Sequence, residues 1–313
     1  MTTKILITAP AYFDSAAVAL FQKLGSVTAK EVTYEQLLEC VADYDVLAIR
    51  VDTHVDKKVI DAAKKLKVIA SGTTGVNHID VEYAKQKGIE VISLQGANTI
   101  ATAEHTLALL LSLVRKIPAA HASLTSGKWH RADFIGRELQ GKKLGIIGFG
   151  RIGRDIAILA QAFGMRILAY DPYLKDEAFY QAKVIRLSSL EDIFAEADVI
   201  TLHLLLTEET RGIVNKQKLK LMKPTSVLIN CSRGEVISEA DLLEALEQEN
   251  IAGAALDVFA AEPLSAESPL LHYAQKNNNL ILTPHIAGST REAVHEAGHF
   301  VASKTLEFFS KLQ

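Results

Sequence analysis

The chain has 313 residues, 49% hydrophobic and 23% charged, with a formal net charge of −3 at neutral pH. That near balance leaves no electrostatic footprint for nucleic acid or an anionic membrane, while the length allows two domains with substantial cores. Two cysteines, Cys40 and Cys231, are too few for a disulfide framework and read as buried thiols in a reducing compartment. The first residues, MTTKILITAPAYFD, break their short apolar run at Pro10 and Asp14, unlike a secretory leader. The most apolar stretch, LALLLSLV at 107–114, falls well short of the roughly 20 residues of a membrane-spanning helix. The expectation is a soluble, cytoplasmic protein.

In chain order, KILIT (4–8), DVLAIR (45–50), KVIAS (67–71) and IEVISL (89–94) read as buried strands. Amphipathic segments separate them, among them TYEQLLECVADY, where Thr33 and Gln36 have capping-box spacing. This β-α alternation predicts an α/β architecture with a parallel sheet covered on both faces. After Leu94 the strand signal stops. The next segment reads as a helix, a stop at Pro118, and a second helical or loop stretch. A new β-α series starts at KKLGIIGFG (142–150) and continues through RILAYD, DVITLHL, VLINCS, AGAALDVF and LILTPH. From Ser289 onward the pattern is helical with no strand after it.

Gly148-x-Gly150-x-x-Gly153 directly follows an apolar strand and opens a helix. In that context the first glycine permits a tight turn, the second lets backbone approach a pyrophosphate, and the third lets helix pack on strand. The helix N-terminus adds unpaired N–H groups and partial positive charge. Asp171, at the end of RILAYD, stands where an acid would bind the ribose 2′-hydroxyl and repel a 2′-phosphate. The expected cofactor is NAD.

HEAGH (295–299) matches the zinc-protease pattern H-E-x-x-H, with both histidines on one helical face. A catalytic zinc of this type takes a third protein ligand, and the extended form would need Gly and His where Ala302 and Thr305 stand. No metal is expected.

Polar residues punctuate the ends of the later strands: Arg233 after VLINCS, Asp257 and then Glu262 after GAAL, and His285 after LILTP. Ligands of open α/β sheets bind outside the carboxyl ends of the strands. Alcohol–ketone interconversion beside a nicotinamide needs an acid/base of suitable titration range, which histidine provides. A carboxylate bonded to the ring favours its protonated form, and an arginine fork can hold a substrate carboxylate.

Together, GFGRIG with YDP, NCSRGEVI, ALDVFAAEP and PHIAGST resemble the D-isomer-specific 2-hydroxyacid dehydrogenase family over nearly the whole chain. The resemblance implies two Rossmann-like, doubly wound parallel-sheet domains with an active-site cleft between them. Residues 1–97 plus 287–313 would form a flavodoxin-like substrate-binding domain, and 98–286 an NAD-binding Rossmann domain. It implies Arg233 as the substrate-orienting arginine, His285 as the acid/base and Glu262 as its carboxylate partner. Asp257 would contact the nicotinamide amide, with Arg151, Ile152, His203, Thr207 and Cys231 as further cofactor residues. Backbone N–H groups of Thr74 and Gly75 would bind the substrate carboxylate. The helical connector would mediate a homodimer, and HEAGH is accounted for without metal. Where the family often carries His-x-Pro, this chain reads His203-Leu204-Leu205-Leu206-Thr207.

Within the family, LAIRVDTHV, LTSGKWHRADFIGRELQGKKLGIIGFGRIG and FGMRILAYDP most resemble D-3-phosphoglycerate dehydrogenases. That implies Arg50 in substrate binding and Arg131 reaching a neighbouring subunit's site. Ser71 and Asn77 depart from the Arg and Asp that some or many of those enzymes carry, which keeps glyoxylate or hydroxypyruvate reduction as the alternative. Corepressors that bind NAD share the same family resemblance, though no nuclear-targeting signal is present in this sequence.

Overall fold

The structure is a computed structural model that describes residues 2–94, 96 and 98–311. Residue 97, where the sequence placed a domain boundary, and residues 312–313 lie outside the described residues. The chain divides into two compact units, Met1–Asn98 with Gly288–Gln313, and Thr99–Ala287.

The first unit runs β1 (Thr3–Ile7), α1 (Ser15–Gln22), β2 (Gly25–Ala29), α2 (Tyr34–Cys40) and β3 (Val46–Ile49). It continues with α3 (Lys57–Ala62), β4 (Val68–Ser71), α4 (Val81–Gln86) and β5 (Glu90–Ser93). The five strands pair in the order β2-β1-β3-β4-β5, all parallel. Alternate side chains feed opposite cores, as a two-residue repeat requires. Ile5, Ile7, Val46 and Ala48 enter one core while Leu6, Leu47 and Ile49 enter the other. Thr33 caps α2 through the capping box its spacing predicts, with Gln36 answering the Thr33 N–H. Sequence reading missed β2. Its residues GSVTA are only half-buried at the sheet edge and lack an apolar run.

The second unit begins with α5 (Thr99–Val114) and α6 (Ile117–Thr125). Pro118 does not end a helix here; it lies in the first turn of α6, where its missing N–H costs nothing. The break is made instead by Lys116, at φ +54. There follow β6 (Lys143–Ile147), α7 (Arg151–Ala162), β7 (Arg166–Tyr170), α8 (Asp176–Gln181), β8 (Ile185–Arg186), α9 (Leu190–Glu196) and β9 (Val199–Leu202). Then come α10 (Lys216–Leu219), β10 (Val227–Asn230), α11 (Glu239–Glu247), β11 (Gly253–Leu256), α12 (Pro269–Lys276) and β12 (Leu280–Leu282). The seven parallel strands order as β12-β11-β10-β9-β6-β7-β8, a doubly wound sheet whose order reverses between β6 and β9. The two-residue β8 is exposed and carried no signal in the sequence.

The last helix, α13 (Arg291–Ser310), belongs to the first unit and gives Ala297, Val301, Ala302 and Phe309 to its core. Among the described residues no single helix is long and apolar enough to cross a membrane; α5 and α6 pass that test only as a pair bent by 61°. Much of α5 is buried instead, with Ala103, Leu107, Leu109, Leu110 and Leu113 in the core of the second unit.

Candidate active site

At the reversal point of the seven-stranded sheet, β6 runs into the glycine loop and α7. Gly148 has φ +90, and a Cβ there would lie 2.4 Å from the carbonyl oxygen of His203. Only glycine satisfies both demands. A Cβ at Gly150 would meet nothing within 4 Å, so open space lies where a pyrophosphate would approach the helix N-terminus. Gly153 is buried within α7, which brings the helix against Ile146. The loop is held by Asp171 at the end of β7, whose Oδ2 accepts the Phe149 N–H at 2.9 Å while Oδ1 accepts that of Tyr173 at 3.0 Å. Each carboxylate oxygen offers two acceptor sites, so both retain capacity for ribose hydroxyls. This cradle fits a dinucleotide of the NAD type.

The neighbouring residues vary in what they present. Arg151 is exposed at the first position of α7, and Ile152 packs half-buried on the core. The His203 ring bonds Thr201 Oγ1 through Nε2 at 2.8 Å, and its Nδ1 is buried with no partner among the described residues. Burial pushes this imidazole down to about 3, leaving it neutral at ordinary pH. It is the His203 carbonyl that meets the glycine loop. Thr207 is exposed and pairs with Thr210 in a turn. Cys231 is buried, and burial pushes its thiol up to about 12; Cys40, expected to be buried, is only half so.

Three loops at the carboxyl ends of β10, β11 and β12 converge on the chemistry. After β12, His285 Nδ1 lies 2.7 Å from Glu262 Oε2. Glu262 Oε1 accepts the Phe259 N–H at 2.9 Å, which fixes the carboxylate plane. Burial alone would raise the Glu262 pKa, yet the His285 and Phe259 hydrogen bonds carry it below the ordinary value. His285 itself sits at φ +51, a strained conformation for a residue with a Cβ. Asp257 secures it. The Asp257 carbonyl accepts the His285 N–H at 2.9 Å, while its carboxylate accepts Ile286 N–H at 2.9 Å, Ala287 N–H at 2.8 Å and Thr283 Oγ1–H at 2.6 Å. The Asp257 side chain is fully buried, so its visible work is to hold the loop that carries His285.

Arg233 follows β10 and is half-buried beside Glu262 and Glu235; desolvation lowers its pKa against the pull of those carboxylates. Its loop is shaped by buried Asn230, whose Nδ2 donates to the Arg233 carbonyl at 2.8 Å and whose Oδ1 accepts from Ser232 N and Oγ. Gly234 then lets this loop touch the one after β11: a Cβ there would fall 1.9 Å from the Phe259 carbonyl carbon.

In the first unit, Arg50 ends β3, donates to the Gly72 carbonyl at 2.6 Å and stacks 4.6 Å over Tyr12. Its Nε is buried with no hydrogen-bond partner among the described residues. Thr74 donates its hydroxyl to Asn98, and the Gly75 carbonyl accepts from Thr73. Arg131 is exposed at the start of a short 3-10 turn of the second unit. In HEAGH, His295 Nδ1 pairs with Asp14 Oδ2 at 2.6 Å, and Gly298 allows α13 to lie on Ala17. Among the described residues no group of three His, Cys, Asp or Glu gathers as a metal site.

Sequence reading missed Asn230, Thr283 and Gly234. A fully buried Asn ending an apolar strand was the available signal for the first. The others depend on contacts between loops far apart in sequence.

Residues 107–287 match the family model described as "D-isomer specific 2-hydroxyacid dehydrogenase, NAD binding domain". The D-3-phosphoglycerate dehydrogenase of Methanocaldococcus jannaschii is 44% identical over 96% of this chain and 56% of its own length. The chain thus spans about half the length of the curated relatives it matches. Among solved structures, the TT0316 protein from Thermus thermophilus superposes with a TM-score of 0.87 at 34% identity, covering 97% of this chain and 96% of that one. D-lactate dehydrogenase from Aquifex aeolicus, complexed with NAD and lactic acid, does so at 0.84 and 27% identity, covering 99% and 96%. With its glycine cradle, its His–Glu pair and this match, the chain belongs to the D-isomer specific 2-hydroxyacid dehydrogenase family.

Proposed function

We propose that the protein is an NAD-dependent dehydrogenase that interconverts a D-2-hydroxy acid and its 2-keto acid. The observation that carries this is the 2.7 Å bond between His285 Nδ1 and Glu262 Oε2 in the same unit as the dinucleotide cradle. An ionised carboxylate only accepts, so Nδ1 carries the proton and Nε2 is left to exchange one with substrate. With 30% of its side-chain surface open, the ring is accessible. His285 gives its Nε2 proton to the carbonyl oxygen in reduction and takes one from the hydroxyl in oxidation. Glu262 holds the ring's orientation and steadies its charged form. Arg233 fixes the substrate carboxylate and polarises the keto oxygen, a positioning contribution.

The cofactor would be held by Gly148, Gly150, Arg151, Ile152 and Gly153, with Asp171 on the ribose and His203, Thr207, Cys231 and Asp257 completing its surroundings. When bound it supplies, or accepts, the hydride at the substrate carbon. The Thr74 and Gly75 amides, Arg50 and Arg131 are our candidates for the rest of substrate binding. The substrate we favour is D-3-phosphoglycerate, with 3-phosphohydroxypyruvate as its keto form. In support, curated relatives at 42–44% identity carry that activity in their names, and the arginines offer charge-assisted bonds to a phosphate. The protein acts in the cytoplasm as a homodimer. Ile117, Leu124, Trp129 and Ile135 are more than half exposed on one connecting segment, a clustering that suits a second subunit.

Steady-state NADH oxidation with phosphohydroxypyruvate, hydroxypyruvate and glyoxylate side by side tests the reading. The expected result is the highest kcat/KM for phosphohydroxypyruvate. Preference for either of the other two transfers the protein to the reductases of the family, and no turnover of any 2-keto acid removes the enzymatic reading.

A further inference from the structure

We propose that His105, on α5, is a positioning residue for the reaction: it fixes the Asp257–Thr283 pair that holds the His285 loop. The proposal rests on the assignment of His285 as the acid/base. Neither the sequence patterns nor the family resemblance pointed to His105, which lies 178 residues from Thr283 in sequence.

The early turns of α5 face the ends of the strands that carry the site. Thr106 is buried there, close enough to hydrogen-bond the Cys231 thiol. Next to it in the chain, His105 Nε2 lies 3.3 Å from Thr283 Oγ1 and 3.4 Å from Asp257 Oδ1. A threonine hydroxyl has a single proton, and Thr283 commits it to Asp257 Oδ1 at 2.6 Å. Thr283 therefore presents lone pairs to the ring, and so does the Asp257 carboxylate. His105 Nε2 must carry a hydrogen, shared between two acceptors. This settles which side of the imidazole donates, whatever its charge.

The consequence reaches His285 through Asp257. The carboxylate of Asp257 is fully buried, and two backbone N–H groups of the His285 loop end on it. Its plane is set by those groups on one side and by Thr283 and His105 on the other. Without the donor from α5 the carboxylate can rotate or draw water, and the loop loses the partner that holds residue 285 at φ +51. A relaxed loop leaves Nε2 misplaced for proton transfer, while the glycine cradle after β6 is untouched. The signature is a fall in kcat larger than any loss of NADH affinity, since Asp257 also stands among the proposed cofactor residues while the glycine cradle keeps its place.

The test compares His105→Leu, His105→Gln and Thr283→Val with His285→Ala in parallel, by steady-state kinetics, NADH fluorescence titration and thermal unfolding. Leucine removes the donor, and glutamine can return an N–H at the position of Nε2. We expect His105→Leu to lower kcat by roughly tenfold or more, the worth of one hydrogen bond to a charged group, with the NADH Kd raised by less than that factor. His105→Gln should recover most of the rate. The His105→Leu/Thr283→Val double variant should be no slower than the slower single one, because both act on Asp257. Should His105→Leu not fold, Thr283→Val and His105→Gln carry the same comparison. A wild-type kcat in His105→Leu with an inactive His285→Ala overturns the role of His105 alone. Equal losses in the leucine and glutamine variants, or a loss of NADH affinity as large as the loss of kcat, reduce His105 to a packing residue and also overturn it. An active His285→Ala overturns the underlying assignment instead.

Discussion

Glu262 is a carboxyl on which two physical effects act in opposite directions. Burial favours its neutral form, while the bonds from His285 and the Phe259 N–H favour the anion, and the anion wins. Because its pKa is depressed when folded, the stability it contributes is complete above its ordinary 4.5 and is lost as pH falls through the lower folded value. Throughout the neutral range it therefore stands charged beside the imidazole. In the proposed mechanism this carboxylate faces the ring that carries the transferred proton. Glu262→Gln keeps the shape but removes the charge, so the base form survives to lower pH. In hydroxy-acid oxidation the acidic limb of the kcat profile should move to lower pH, and in keto-acid reduction the alkaline limb should move the same way. Limbs that stay in place would show that the pair seen at 2.7 Å does not couple in turnover.

Among elements, the glycines of the second unit divide into those that serve packing and those that serve a ligand. Gly234→Ala drives a Cβ into the Phe259 carbonyl at 1.9 Å, parting the loops that carry Arg233 and Glu262. Overpacking of this kind costs about 1–3 kcal/mol, so a lower Tm should accompany a large fall in kcat. Gly150→Ala meets open space in an extended backbone that alanine can adopt and costs at most about 1 kcal/mol as a helix cap, so Tm should fall less than in Gly234→Ala while NADH binding weakens. Equal thermal shifts in the two variants would contradict this division. The same distinction explains what could be read from the sequence. Strands with uninterrupted apolar runs, the capping box at Thr33, and the ordered series Arg233, Glu262, His285 are local signals, and all lay open in the residues. Strand β2 was not, because its side chains are half-exposed at an edge. Pro118 misled because a proline marks either the end of one helix or the first turn of the next. Of the supports of the site, Asn230 acts within its own turn, but Thr283 and His105 act across long loops, and no periodicity announces a contact that only the tertiary structure makes.

For the whole molecule, the chain path matters more than either sheet alone. The second unit is one continuous stretch, whereas the first is completed by α13 from the far end of the chain. Val301, fully buried, and Phe309 bring that helix into the core shared by Ile5, Ile7, Val46 and Val68. Burying two such side chains contributes about 3–6 kcal/mol, a large part of the roughly 5–15 kcal/mol by which a domain is stable. Val301→Asp loses that packing and adds an unpaired buried carboxylate, so the first unit should unfold under conditions in which the wild type is folded. The glycine loop, Asp171, Arg233, Glu262 and His285 all lie in the other unit. NADH titration of Val301→Asp should therefore still show binding, while 2-keto acid turnover should disappear if, as proposed, Arg50, Thr74 and Gly75 bind the substrate. Circular dichroism and limited proteolysis should locate the loss in β1 to β5 and α13. If NADH binding vanishes with the turnover, the second unit does not hold its fold without the first, and cofactor binding has to be assigned to the whole chain.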